Sequence, residues 1–179
     1  MSLHVWRHPK PIGALGLCVG RTDLPIDRRK AKRLAHRIRA HARRHALANH
    51  IVTSRLRRSA AVGRVLAQWG WRHTVDARLD EFDFGAWDGM PWAEIAPDEL
   101  DAWGRDFPTY RAGGGESVSA LLERCAAFVA EGSRAGARCV VGHAGWISAA
   151  RWLQANRAEM PQASSWPAAV AYGRRVTLG

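Results

Sequence analysis

The sequence predicts a mixed α/β fold, a three-layer α/β/α sandwich whose central sheet is mostly parallel. Short apolar or β-branched runs (LHVWR, HIVTS, CVVG) alternate along the chain with longer segments of helical period. Each run ends in polar residues and leads toward a helix-like stretch, the order that yields crossover connections and parallel pairing. At 179 residues, 47% of them hydrophobic and nine of them tryptophan, the chain is long enough for one substantial core and short for two.

The elements follow in order. Leu3–Arg7 is the first strand, stopped by Pro9 and Pro11. Arg28–Leu47 is a helix, with Ala31, Leu34, Ala35, Ile38 and Ala42 on one face and cations on the other. His50–Ser54 is a second strand. A helix from about Arg58 to Trp69 buries Val62, Val65, Leu66 and Trp69, and Gly70 stops it. Thr74–Asp76 is a short strand. Ser117 caps a helix striped by Val118, Leu121, Leu122, Cys125, Phe128 and Val129. Cys139–Gly142 is a buried strand, with a helix starting near Trp146 behind it. Ala171–Leu178 supplies a last strand.

Residues 82–115 break this rhythm. They are aromatic and acidic, with Pro91, Pro97 and Pro108 and short helices at Trp92–Ile95 and Pro97–Trp103. Such a stretch reads as a lid-like excursion over the sheet within one domain spanning residues 1–179. The triple glycine at Gly113–Gly115 lacks the GxxxxGK[ST] pattern of a phosphate loop and reads as a flexible approach to the Ser117 helix.

Composition excludes some classes. No apolar run approaches the roughly eighteen residues of a membrane span, and no signal-like N-terminal segment is seen. Three cysteines without CxxC spacing point to reduced thiols and a cytoplasmic protein. The net charge of +11 favours anionic partners. Much of it lies in the helix Arg28–His45, whose plainer reading is a solvated cationic face. That helix lacks the interleaved aromatics of a nucleic-acid reader, so nucleic acid is not the expected partner. His41 and His45 sit i, i+4, but no carboxylate or cysteine joins them; no metal or other cofactor is expected.

Chemistry converges where three strands end. The first delivers Arg7 and His8, the second Ser54 and then Arg57 and Arg58, and the CVVG strand His143. In a parallel sheet these ends share one edge, where ligands bind. Two histidines with two or three arginines there make a site for a dense anion, and phosphate is the obvious one. Each residue alone also has a structural reading: a satisfied strand-end histidine, a surface arginine, a capping Ser54.

In five ordered blocks the chain resembles the histidine phosphatase superfamily, the phosphoglycerate-mutase-like group. These are RHP (Arg7–Pro9), with VGRTDLPID (Val19–Asp27) behind it; TSRLRRSA (Thr53–Ala60); LDEFDFGAWDG (Leu79–Gly89); GGGES (Gly113–Ser117); and VGHAG (Val141–Gly145). The resemblance implies that His8 is the nucleophile and becomes a phosphohistidine. It implies that Arg7, Arg58 and His143 bind phosphoryl oxygens, and that Glu81 is the proton donor, with Ser54, Arg21 and Ala144 beside the substrate. Asp83 and Asp88 lie near Glu81 and are alternatives for its role. A neutral His8 with a bare ring nitrogen needs a partner, such as a backbone carbonyl, on its other N–H.

The resemblance implies a phosphomonoester hydrolase acting without a metal on a small phosphorylated metabolite. The short segment between Glu81 and His143 favours a phosphatase over a phosphoglycerate mutase-type phosphotransferase. A non-catalytic anion- or nucleic-acid-binding relative is the other alternative, which the intact Arg7, His8, Arg58, Glu81 and His143 argue against. GLCVGRTDLPID, DFGAWDG and GGGES look most like the α-ribazole phosphatases of cobalamin biosynthesis, and Trp87, Trp92 and Trp103 are candidates to stack on an aromatic aglycone. Either a monomer or a homodimer fits the chain. Three departures from the family pattern stand out: Pro9 for glycine, Arg55 for proline (one more cation near the site) and Ser59 for alanine.

Overall fold

The structure, a computed structural model, describes residues 2–134, 138–155 and 159–179. Five strands form one sheet: β1 (Leu3–Arg7), β2 (His50–Thr53), β3 (Arg72–Val75), β4 (Arg138–Gly142) and β5 (Arg175–Leu178). Their order is β3-β2-β4-β1-β5, with every pairing parallel except β1 with β5. The helices are α1 (Arg28–Arg44), α2 (Arg57–Gln68), α3 (Pro97–Arg105), α4 (Val118–Arg134) and α5 (Ala144–Ala155).

Alternation along the strands builds the three layers. Leu3, Val5, Val52 and Val140 face one way, into a core with Leu121, Cys125 and Phe128 of α4 and Trp146 and Ile147 of α5. Trp6, Ile51, Cys139 and Val141 face the other way, against Ala31, Leu34, Ala35 and Ile38 of α1 and Val62 and Leu66 of α2. The apolar stripe predicted for α1 is the buried one.

The third strand runs Arg72–Val75 rather than Thr74–Asp76, and the last begins at Arg175 rather than Ala171, because a turn closed by the Arg174 N–H on the Ala171 carbonyl precedes it. Two helix boundaries differ as well. Helix α1 ends at Arg44 rather than Leu47, because Ala46 takes a left-handed φ of 50° and the Leu47 N–H reaches back to the Ala42 carbonyl. Helix α5 begins at Ala144, directly behind His143, whose carbonyl accepts from the Ile147 N–H. The strand-to-helix turn is therefore abrupt, and the amino end of α5 opens at the ligand edge of the sheet.

The excursion is ordered by aromatic packing. Trp87, Ile95, Phe107 and Ala112 are buried in the α4/α5 core, and Phe84, Trp92 and Trp103 pack ring against ring. The glycine run is a close-packing device rather than a flexible approach. A Cβ on Gly113 would stand 2.2 Å from the Phe84 carbonyl oxygen, and one on Gly115 2.2 Å from that of Asp83. Two backbone segments touch there with no room for side chains.

Candidate active site

Strands β1 and β4 end side by side, Arg7 opposite Gly142, and the His8 N–H donates to the Gly142 carbonyl. The next residues, His8 and His143, therefore face each other with ring centroids 4.9 Å apart. A cavity of about 360 Å³ opens at this edge. Arg7, His8, Arg58, Glu81 and the α5 start at Ala144–Gly145 form its polar floor.

His8 is buried, and its Nδ1–H donates to the carbonyl of Pro9 at 2.7 Å. That bond fixes the tautomer and leaves Nε2 with a bare lone pair and no partner among the described residues. Pro9 forfeits its own N–H, but its ring fixes φ and so helps aim the carbonyl that holds His8. Burial, then the Arg58 charge, pushes the His8 pKa well below the usual imidazole value, so the ring is neutral near pH 7.

Arg58 is buried and immobilised from three sides. Its Nε donates to His143 Nδ1 at 3.3 Å, Nη1 to the Thr22 carbonyl at 2.8 Å, and Nη2 to the Gly20 carbonyl. His143 is neutral as well, its pKa held far down by burial and by the facing His8. Since its Nδ1 accepts from Arg58, its Nε2–H donates to Ser54 Oγ at 2.7 Å. Contact between His143 and a phosphoryl oxygen thus requires exchange of one of these bonds. Arg7 stacks 3.8 Å over the Tyr172 ring and donates to the Val170 carbonyl, while its buried Nε has no partner. A guanidinium N–H without a partner beside a cavity is a donor suited to an anion's oxygen.

Glu81 supplies the cavity's carboxylate. Its Oε1 accepts from the N–H groups of Phe82, Gly145 and Trp146 at 3.0–3.3 Å, the last two being first-turn donors of α5. Oε2 has no partner among the described residues. The Ala144 N–H, also in that first turn, has no partner among the described residues, and Ala144 lines the cavity. Asp83 and Asp88 do not line it. The Asp88 carboxylate accepts from the N–H groups of Gly20, Arg21 and Thr22 and from Thr22 Oγ1, and Asp83 from the Gly85 N–H.

Other predicted residues lie elsewhere. Ser54 meets His143 and does not line the cavity. Arg21 points outward to Asp83 at 3.4 Å and does not line the cavity. Arg55 is no spare cation; it pairs with the buried Asp80. Arg57 lines a groove between α1 and α2 instead. Ser59 bridges the Val141 carbonyl and the Ser54 N–H, tying α2 to the strand ends. Of the three tryptophans, Trp92 reaches the cavity wall, while Trp87 and Trp103 do not line it.

Three roles escape sequence reasoning. Arg124 grips Glu116 in a bidentate pair and donates to the carbonyls of Arg78, Asp80 and Glu81, so it positions the segment carrying Glu81. Asp88 orders the Gly20–Thr22 loop whose carbonyls hold Arg58. Tyr172 backs Arg7. Among the described residues no histidine, cysteine, aspartate and glutamate cluster could hold a metal, and no helix there is long and apolar enough to cross a membrane.

Fold and site thus define an α/β protein with a cationic, histidine-bearing cavity at its parallel strand ends. The profile of the histidine phosphatase superfamily (branch 1) matches residues 3–172, and the chain belongs to that superfamily. Solved structures agree. A mycobacterial glucosyl-3-phosphoglycerate phosphatase is 25% identical, with a TM-score of 0.80 over 99% of this chain and 89% of that one. Its complex with VO3 is 26% identical, with a TM-score of 0.81 over 99% and 92%. The α-ribazole phosphatase of Shigella flexneri, 23% identical over 99% and 89% with a TM-score of 0.77, shares the fold. No curated protein sequence matches this chain significantly.

Proposed function

We propose that this protein is a phosphatase that hydrolyses a small phosphomonoester through a phosphohistidine at His8 Nε2. The observation carrying this reading is the bare Nε2, fixed by the Pro9 carbonyl, beside two immobilised guanidiniums and a carboxylate. In the first step the Nε2 lone pair forms the N–P bond as the ester P–O bond breaks, and protonated Glu81 gives its proton to the departing alkoxide. In the second, Glu81 takes a proton from water, whose oxygen attacks phosphorus; the N–P bond breaks, inorganic phosphate leaves, and His8 is regenerated. Charge on the phosphoryl oxygens is met by Arg7, Arg58 and the Ala144 N–H, preorganised donors that need no rearrangement. The side chains supply every proton and charge of this scheme, so we expect turnover in the presence of a chelator.

The cavity walls speak to the leaving group. Above the floor stand Leu17, Val19, Phe82, Phe84 and Trp92, with no further cation or carboxylate. A leaving group with its own carboxylate would find no partner there once Arg7 and Arg58 hold the phosphate. A neutral, partly aromatic group fits, and this favours α-ribazole 5′-phosphate over a phosphoglycerate derivative. Cys18, Cys125 and Cys139 are free and buried, with burial pushing each thiol up to about 12, consistent with a reducing, cytoplasmic setting.

The test is p-nitrophenyl phosphate turnover by wild type and His8→Ala, with base-quenched trapping of a base-stable, acid-labile phosphoenzyme. Turnover and trapped phosphate should both vanish in His8→Ala. Equal rates in the two proteins would refute the reading. A panel containing α-ribazole phosphate, 3-phosphoglycerate and sugar phosphates, ranked by kcat/KM, tests the substrate.

A further inference from the structure

A second cavity, of about 330 Å³, adjoins the first. Its lining is Pro9, Lys10, Lys30, Arg33, Leu34, Arg37, Tyr172 and Gly173. The two cavities share Tyr172 as a wall, and consecutive residues His8 and Pro9 line one each. Four cations line this groove and no carboxylate does. None of the four has an ion-pair partner among the described residues.

Three features make this more than a solvated cationic face. Lys30, Arg33 and Arg37 stand at i, i+3 and i+7, so one face of α1 presents all three, and Lys10 meets them from the loop behind the catalytic strand. The first turn of α1 is Arg28, Arg29 and Lys30, with no acidic residue; the one carboxylate at that end, the N-cap Asp27, accepts from the Arg29 N–H, and the cations crowd the positive end of the helix dipole behind it. A bound anion would offset their mutual repulsion. Gly173, at φ 69°, keeps the groove open, since a Cβ there would stand 3.3 Å from Arg37 Nη1.

We infer that this groove is a second anion site, for a phosphoryl or diphosphate group, separated from the catalytic cavity by Tyr172. The inference concerns binding and does not depend on the catalytic reading. Its occupant is either the second phosphoryl group of a molecule spanning both cavities or a separate phosphate-type anion. Both present the same chemistry to the four cations.

Calorimetric titration with inorganic pyrophosphate tests it on wild type and three variants. One variant removes the groove cations (Lys10→Ala/Arg33→Ala/Arg37→Ala). Another removes the same charge from exposed off-groove positions (Arg29→Ala/Lys32→Ala/Arg43→Ala). A third, Arg58→Met, disables the catalytic cavity. The site predicts a binding event that survives Arg58→Met, weakens roughly tenfold or more in the groove variant, and changes less than threefold in the off-groove control. Equal weakening in the groove and off-groove variants would show a diffuse charge effect and overturn the site. So would loss of all binding in Arg58→Met.

A series of α,ω-alkanediol bisphosphates against the matching monophosphates distinguishes the two occupants. A spanning ligand gives the bisphosphate an advantage at one chain length, abolished in the groove variant. A separate anion gives no such length dependence while pyrophosphate still binds. If wild type lacks phosphatase activity, the catalytic reading falls while these titrations still decide the groove.

Discussion

Arg58 and Trp92 line the same cavity and are held in opposite ways. Arg58 is enclosed, with its nitrogens donating to two loop carbonyls and to His143, so its charge has one position. Trp92 is 37% exposed and held by ring contacts with Phe84 and Trp103. The floor is an electrostatic device whose geometry was fixed during folding; the wall is an apolar surface that tolerates exchange. Chemistry should therefore fail steeply when the floor is disturbed, and selectivity should drift when the wall is.

The sharpest break is Arg58→Met, which keeps bulk and removes the charge. A guanidinium that stabilises phosphoryl charge is worth about 10³–10⁵ in rate, so kcat/KM on p-nitrophenyl phosphate should drop by that order while the fold persists by circular dichroism. A loss below tenfold would mean that the floor does not work through charge.

Gly145→Ala probes the floor without touching a charged group. A Cβ there would stand 2.7 Å from Glu81 Oε1, so the carboxylate must move off the α5 amino end. General acid catalysis contributes about 10²–10⁴. We expect kcat to fall about a hundredfold with KM nearly unchanged. Unaltered kcat would free Glu81 from the proposed role.

How much of this was legible follows the same division. Arg7, His8 and Arg58 were readable because they follow strand ends, and the parallel topology sends those ends to one edge whatever the loops do, whereas Glu81 came only from the family motif. His8, Arg58 and His143 meet although the chain places them far apart, and the carbonyl partner required for His8 is supplied by Pro9. What escaped depends on contacts with no local signature. Arg124 looks like any helix cation until Glu116 and three carbonyls close around it, and Tyr172 matters only because the tail turns at Gly173 to bond the Arg7 carbonyl. Arg55 misled for the converse reason: its partner Asp80 is 25 residues away. The glycine run misled because flexibility and close packing call for the same residue.

Burying neutral imidazoles has a cost in acid. His4, His8, His41, His50, His73 and His143 all have pKa values lowered in the folded protein, burial being the first cause in each. Below about pH 6.5 the unfolded chain takes up protons that the native state refuses. Stability is thus complete above that pH and falls as pH drops toward the folded-state values, by up to about 1.4 kcal/mol per pH unit for each of the buried His8 and His143 and by less for the other four, which water screens. Urea unfolding at pH 7.5 and 5.5 should show the loss; equal midpoints would contradict it.

Trp92→Ala moves to the wall. Removing the ring should raise KM for an aromatic-aglycone phosphate about tenfold, a loss of roughly 1–3 kcal/mol typical of one apolar contact. Turnover of a small alkyl phosphate should change less than twofold. Equal effects on both substrates would place Trp92 in the framework rather than at the leaving group.

The smallest expected effect belongs to Arg21, and it separates motif from geometry. The family resemblance puts this residue beside the substrate, whereas its guanidinium is 42% exposed and faces Asp83. The loop needs residue 21 chiefly for its backbone N–H, which donates to Asp88 and helps hold the carbonyls that grip Arg58. Arg21→Ala keeps that N–H and loses a solvent-screened ion pair worth at most about 1 kcal/mol. kcat/KM should therefore stay within about twofold of wild type. Asp88→Ala, which releases the same loop while leaving Arg21 in place, should cost more than tenfold. If the order were reversed, with Arg21→Ala the more damaging change, the side chain would have to swing onto the substrate when it binds. The floor would then be completed by the ligand rather than built in advance.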